Sequence, residues 1–467
     1  FRPLYIPLAR IFFEAFLILH MSKTTHIIRK GLNLPLVGKP SDKVNFSEFP
    51  NSFALRPSEF IGLNPKLNVK VGDKVKAGEC IFHDKSNDKI LITSPVSGEI
   101  TAIDRGPKRR LDAIVIRPDE KCDYINFGKE FPIEKEKIIS KLLLSGAWSL
   151  LQMRPYGCIA NPMDAPKAIF VNGMASSPFA SKPSISLNGK EEFFTAGLKV
   201  LNSLSNRTIL SISLDEESKI LTQARGVELH RFSGPHPSGN TSVHISKISP
   251  INKGDIVWTI SAQDVAIIGQ LFISGEYHLD RVIAAGGSGM KEPGYFNVRG
   301  GQSMLGFFNE NVKPGNYRFI SGSVLTGNNI GKEGYLGYLS KQITIIPEGE
   351  NTDFLGWVLP GFSKYSFSKA YFSWLFPNRK YDLTTKLNGE ERAFVVTGQY
   401  DKVFPFDIFP NQLLKSIWAE DLEKMEELGI YEIVPEDFAL CEVICTSKQP
   451  LQEMVRKGLN VLYAEMN

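Results

Sequence analysis

Residues 168–214 read AIFVNGMASSPFASKPSISLNGKEEFFTAGLKVLNSLSNRTILSISL. Ala168–Val171 is a short, continuous apolar run, as a strand buried on both faces requires. A Gly/Ser/Pro loop at Asn172–Pro183 comes next, then Glu191–Leu204 reads as a helix and Thr208–Leu214 as a second strand. This alternation implies a Rossmann-like α/β domain with a parallel sheet, assigned here to residues 126–280. Open sheets of this kind usually hold ligands at strand ends, which places a ligand site at the head of the Asn172–Pro183 loop. Upstream, Ile133–Met153 carries a helix with Leu142, Leu143 and Leu150 at near-helical spacing; Gly146 weakens it.

Toward the N-terminus the pattern changes to short strands. Val69, Val71 and Val75 flank a Gly72-Asp73 turn, and Cys80–Phe82, Ile90–Thr93, Ile100–Ile103 and Ala113–Ile116 succeed it at close spacing. Such spacing implies a small barrel or sandwich, and residues 22–120 are assigned to a barrel-sandwich hybrid. The order V-G-D-x-V-x-x-G, then Ser94-Pro95-Val96-Ser97-Gly98, is similar to lipoyl and biotinyl domains. In those carriers the modified lysine tips a short symmetric hairpin. Here thirteen positions separate Lys85 from Gly98, so Lys85 reads as a solvated hairpin lysine; a lipoyl or biotin carrier is the alternative. Residues 1–21 read as a leader. The segment Phe1–His20 has Glu14 inside its apolar run and no small-residue cleavage site, unlike a signal peptide. Met21-Ser22-Lys23 reads as a natural start; a surface-lying amphipathic anchor is the other reading.

Toward the C-terminus, Arg281–Ala285 and Gly294–Arg299 pair around a Gly-rich turn. A short helix at Ser303–Phe308 and a strand at Arg318–Ser321 complete a β-grasp (SLBB-like) unit over residues 281–335. Residues 336–467 form a mixed, mainly helical region. Within it Asn411–Leu428 is the strongest helix, with Leu414, Trp418, Leu422, Met425 and Leu428 on one face. Leu451–Leu462 is a second amphipathic helix, interrupted by Gly458. Phe354–Phe376 holds nine aromatics in 23 residues, Trp357, Tyr371, Phe372 and Trp374 among them, near Lys364, Lys369 and Arg379. That composition fits a membrane interface or apolar partner and, equally, a buried core. The whole is an α+β multidomain protein.

Composition narrows the function. The 467 residues carry 54 Lys+Arg against 50 Asp+Glu, a net +4, which gives no support to a nucleic-acid partner. The mean hydropathy of −0.11 and the absence of a long apolar run exclude a multi-span membrane protein. Five cysteines (Cys80, Cys122, Cys158, Cys441, Cys445) form no C-x2-C pair, so a zinc ribbon or disulfide framework is not expected. Cys441 and Cys445 make a C-x3-C pair, too few thiols for an iron–sulfur cluster.

The most unusual loop is Arg231–Gly239, with Gly234-Pro235-His236-Pro237-Ser238-Gly239 at its heart. Its prolines break helices, so no i, i+4 metal pair forms, although His230, His236 and His244 fall within fifteen residues. The loop reads as structural or interfacial, with a metal site or a hydrogen bond from His236 to a ligand such as a quinone carbonyl as the other readings. Gly286-Gly287-Ser288-Gly289 lacks the G-K-[ST] ending of a phosphate loop and reads as a turn. No G-x-G-x-x-G, G-x-S-x-G or H-E-x-x-H occurs where its chemistry would need it.

From about Ile27 onward the chain resembles the A-subunit family of the Na+-translocating NADH:quinone reductases. The resemblance rests on Lys30-Gly31-Leu32-Asn33-Leu34-Pro35, the S-P-V-S-G-E-I turn, Ile103-Asp104-Arg105-Gly106, and Ala168-Ile169-Phe170-Val171. It continues through Gly234–Gly239, Ile320–Leu325, Pro347-Glu348-Gly349, Asp407-Ile408-Phe409-Pro410 and Glu436–Cys441. The family is also similar to the NADH-binding flavoprotein of complex I and to the C-subunit of the Rnf complex. Those relatives hold FMN with a loop beginning S-G-L-R-G-R-G-G-A-G. Here Ser145-Gly146-Ala147-Trp148-Ser149-Leu150-Leu151-Gln152-Met153-Arg154-Pro155 stands in its place, with side chains where glycines would admit a phosphate. The resemblance thus implies a scaffold that binds no cofactor itself, within a complex using FAD, FMN, riboflavin, iron–sulfur centres and ubiquinone. It also implies a peripheral place on the cytoplasmic face of the bacterial inner membrane, beside the membrane-embedded B-subunit. An autonomous flavin-dependent NADH oxidoreductase is the alternative. Gly234, Pro235, His236 and Cys441 are the candidates for quinone or partner contact; no catalytic, cofactor or metal residue is assigned.

Overall fold

The computed structural model describes residues 24–349 and 358–466; the leader at 1–21, with Phe354 and Trp357, lies outside them. Among the described residues the strands form four sheets. The largest runs Thr25–Ile27, Glu228–Ser233, Thr208–Ser213, Ile169–Gly173, Val257–Ser261, Gln152–Arg154, Cys158–Ile159. The first five strands are parallel; Gln152–Arg154 pairs antiparallel with Val257–Ser261, and Cys158–Ile159 antiparallel with Gln152–Arg154. Chain order reverses between Ile169–Gly173 and Val257–Ser261, which makes that junction the switch point of the sheet. Helix Glu191–Leu204 has the bounds read from sequence. It crosses Ala262–Ser274 where Gly197 and Gly269 let the backbones meet: a Cβ on Gly269 would stand 1.7 Å from the Phe193 carbonyl oxygen. The helix expected at Ile133–Met153 is shorter, Lys135–Ser145, because Gly146 takes φ +81° and ends it.

The barrel-sandwich hybrid packs Phe53–Leu55, Leu111–Pro118, Gly98–Arg105 and Lys74–Val75 against Pro65–Leu67, Cys80–Asp84 and Leu91–Thr93. Ile114 and Ile116, two apart on one strand, are both buried on the inner face with Phe53, Phe82 and Ile100. Lys85 is exposed in the connection after Cys80–Asp84.

In the β-grasp unit, Asp280–Gly286 and Gly294–Arg299 are antiparallel, and helix Leu305–Asn311 and strand Tyr317–Ser321 come after them. The sheet extends past residue 335: Gln342–Pro347 lies between Tyr317–Ser321 and Asp280–Gly286, antiparallel to the former and parallel to the latter. The segment assigned to the barrel also feeds its neighbours. Thr25–Ile27 edges the large sheet beside Glu228–Ser233, and Val44–Phe46 pairs with Gly294–Arg299.

The expected helix at 411–428 is two helices, Pro410–Trp418 and Leu422–Glu427. Glu420 adopts φ +56° and the Asp421 carboxylate caps the second by accepting from Lys424 N–H at 3.0 Å. Leu414 and Met425 are buried as expected, but Trp418, at the break, is 60% exposed. Gly458 does not interrupt the last helix, Leu451–Met466; it faces Ile417, whose side chain a Cβ would crowd at 2.9 Å.

Candidate functional site: a polar cavity at the switch point

Asn172 lies near the end of the Ile169–Gly173 strand and organises the loop beyond it. Its amide donates to the Gly239 carbonyl oxygen (2.9 Å) and the Thr241 hydroxyl (3.0 Å), and its Oδ1 accepts from Met174 N–H (2.9 Å). The Ser176 hydroxyl accepts from Gly239 N–H at 2.8 Å and lies 3.0 Å from His236 Nδ1. With the serine proton donated to Nδ1, the imidazole proton resides on Nε2.

The Gly234–Gly239 loop is braced from behind by Lys30–Pro35. Leu32 N–H donates to the His236 carbonyl oxygen at 2.8 Å, and His236 N–H donates to Asn33 Oδ1 at 2.9 Å. Gly234 adopts φ +132°, with a Cβ position 2.1 Å from the Ile28 carbonyl oxygen, so glycine is required. His236 is 4% exposed, and burial holds its imidazole down at about 4, neutral at physiological pH. His244 is fully buried, its Nε2 3.0 Å from the Ser238 carbonyl oxygen and its pKa lowered to about 3, first by burial. His230 pairs with His26 across the sheet edge, Nδ1 to Nε2 at 3.1 Å. The three histidines of the loop region thus have three separate environments. Among the described residues no group of three or more His, Cys, Asp or Glu could hold a metal ion.

Across the switch point, Ser261 caps helix Ala262–Ser274 through Asp264 N–H. Burial pushes the Asp264 carboxyl up, but Arg281 (2.6 Å) and Lys341 (3.0 Å) pull it down to about 2. Ser323, Thr326 and Gln342 arrive from the β-grasp unit, and Glu436, paired with Arg154 at 3.2 Å, from the C-terminal region. Together these elements enclose a cavity of about 280 Å³ lined by Ser176, His236, Asn240, Gln263, Lys341 and Glu436, among others. Beside it Asp437 accepts from Asn240 (3.1 Å) and Val434 N–H (2.9 Å); burial, then neighbouring Glu436, raises its carboxyl to about 7.

His236 therefore lies in a cavity at the strand end the sequence pointed to, with Gly234 and Pro235 shaping the loop behind it. Cys441 does not line it. That thiol is fully buried in the C-terminal core, its pKa driven well up by burial, and Cys445 Sγ lies 2.9 Å from the Tyr400 hydroxyl. Asn172, Ser176, Gln263 and Glu436 escaped the sequence reading. Asn172 and Ser176 had a signal in their place in the Gly/Ser/Pro loop, and Glu436 in opening the Glu436–Cys441 motif; Gln263 had none. The stretch 145–155 is packed: Trp148 is fully buried, with Nε1 donating to the Ala160 carbonyl oxygen at 2.7 Å.

Three family models match in chain order: the NqrA N-terminal barrel-sandwich hybrid domain (residues 26–119), the NqrA second alpha/beta domain (133–277) and the NQRA C-terminal domain (282–332). Among curated relatives, the A-subunit of the Na(+)-translocating NADH-quinone reductase of Vibrio vulnificus strain YJ016 is 35% identical over 443 residues, 94% of this chain and 99% of the relative. That of Vibrio anguillarum is 34% identical over the same shares. A solved NAD+-reducing NiFe hydrogenase in the H2-reduced state covers 71% of this chain and 61% of its own, at 12% identity and a TM-score of 0.37, too slight a likeness to argue from.

Proposed function

The chain belongs to the NqrA family, the A-subunits of the Na+-translocating NADH-quinone reductases, and we propose that it is the peripheral subunit of such a complex, on the cytoplasmic face of the bacterial inner membrane. The observation that carries this reading is the match along 94% of the chain, through all three family domains in order. The complex couples ubiquinone reduction by NADH to Na+ export, and the membrane-embedded B-subunit is the proposed neighbour. Neither the flavoenzyme nor the lipoyl-carrier reading is favoured by the relatives.

The chain contributes no redox centre of its own. Supporting this, the stretch aligned with the flavin loop of distant relatives is filled by buried Trp148, Leu150 and Leu151. The chain as purified from the complex should carry no flavin absorbance and release no flavin on denaturation; stoichiometric flavin would overturn that part.

The chain's contribution to quinone chemistry is positional. A neutral imidazole in the cavity offers Nε2–H to a quinone carbonyl; the Ser176 contact at Nδ1 orients the ring, and Asn33 holds the backbone N–H beneath it. Asn240, Gln263 and the Ser/Thr hydroxyls of the lining supply further hydrogen bonds. His236→Ala in the assembled complex should lower quinone reduction by about tenfold, about 1.4 kcal/mol for one lost hydrogen bond. NADH oxidation with an artificial acceptor at the flavin subunit should persist. Equal loss of both activities, or of neither, would remove His236 from the quinone path.

A further inference from the structure

Residues 358–381 fold back on themselves as a surface loop. Phe372 N–H donates to the Pro360 carbonyl oxygen at 2.9 Å and Arg379 Nη1 to that of Phe362 at 3.1 Å. The underside is anchored: Tyr381 is buried, and its N–H donates to the Pro35 carbonyl oxygen at 2.7 Å. Phe367 packs toward the C-terminal core.

The outer side is apolar and uncovered. Phe362, Phe372, Trp374, Leu375 and Phe376 are each 47–52% exposed. A core would bury these side chains, so the buried-core reading of this stretch fails for its outer side. Lys364, Lys369, Arg379 and Lys380 stand among them, and from 358 to 381 there is no Asp or Glu. The remaining chain is nearly balanced in charge, so this loop is a local cationic surface.

An exposed apolar cluster marks a contact, and its charge identifies the partner. Half-exposed aromatics suit the headgroup level of a bilayer, where ring and water meet. The interspersed cations Lys369, Arg379 and Lys380 complement acidic phospholipid. No helix among the described residues is long and apolar enough to cross a membrane, so such a contact is interfacial, no deeper than a side chain. We propose that the 358–381 loop is a lipid-contact surface that seats the chain on an anionic bilayer. The inference does not depend on the cavity or on His236.

The experiment is flotation of the full chain with vesicles of equal phosphatidylglycerol and phosphatidylcholine, and with phosphatidylcholine alone. The chain should float with the acidic vesicles, less at high salt. Lys369→Glu/Arg379→Glu/Lys380→Glu should weaken binding by at least about tenfold. Phe372→Ser/Trp374→Ser/Phe376→Ser should do likewise by removing the seated apolar groups. Unchanged melting temperatures show that both variants are folded; should one fail that check, the other and the salt dependence carry the test. No flotation with acidic vesicles, equal flotation with both lipids, or full binding by the folded variants overturns the proposal. If lipid is ignored while these variants fail to assemble with the membrane subunits, the loop is a protein contact and the lipid assignment falls.

Discussion

His236 and His244 illustrate how burial sets chemistry at a single residue. Unfolded, both titrate near 6.5; folded, they are held at about 4 and about 3. The folded state therefore binds fewer protons, and their contribution to stability is complete above pH 6.5 and lost as pH falls toward 4. Asp437 has the opposite sign. Its carboxyl is raised to about 7, so its contribution is complete below the unfolded value of 3.8 and lost as pH rises through 7. Melting temperatures from pH 7.5 to 4.5 separate the two: relative to the parent, His244→Gln should flatten the loss on acidification and Asp437→Asn should steepen it. Slopes that move in the same direction would refute this account. Gly234→Ala should cost about 1–3 kcal/mol in chemical denaturation, because its Cβ meets the Ile28 carbonyl oxygen in a left-handed backbone. The Gly234–Gly239 loop was legible because proline fixes φ and glycine opens backbone angles closed to other residues, whatever surrounds them. The partners of His236 were not: Ser176 is sixty positions away, and no local spacing signals such a pairing.

Helix Glu191–Leu204 was legible because its amphipathic period is complete and its ends are polar. The two helices at 410–427 read as one because their apolar period continues across the break. What interrupts them is a left-handed Glu420 and an Asp421 cap, which the period does not register. Glycine was equally ambiguous: Gly146 ends a helix, whereas Gly458 sits inside one as a packing surface. A matched pair tests that distinction. Gly269→Ala, at the crossing with helix Glu191–Leu204, should destabilise by about 1–3 kcal/mol through overpacking. Gly306→Ala, in helix Leu305–Asn311 with nothing within 4 Å of a Cβ, should be neutral or gain about 0.5–1 kcal/mol. Denaturant midpoints of both variants decide, and equal effects would deny the close approach.

In the whole molecule, the β-grasp unit is keyed to both neighbours. Arg281 and Lys341 meet Asp264 of the α/β domain, and Tyr338 N–H donates to Glu59 of the barrel at 2.7 Å. Asp264→Ala strands Arg281, itself 1% exposed, and should cost about 3–5 kcal/mol. Limited proteolysis should then cut near the 274–280 connection before global unfolding; a parent-like digestion pattern would show the ion pairs do not hold the units together. The sequence ordered the modules along the chain but hid their exchanges. Thr25–Ile27 and Val44–Phe46 have three residues each, too few for a period of two to register, and Gln342–Pro347 comes after a long irregular stretch. Only the closed sheets reveal where those strands belong.

The edge strand at Thr25–Ile27 also sets a timetable for synthesis. It leaves the ribosome before its hydrogen-bonding partner exists, since Thr25 pairs with Arg231, about two hundred codons downstream. At roughly 5–20 residues per second the wait is about 10–40 s. During that time an unpaired strand and the Lys30–Pro35 brace of the histidine loop must remain open, and the cavity closes later still, because Ser323, Lys341 and Glu436 of its lining are made after them.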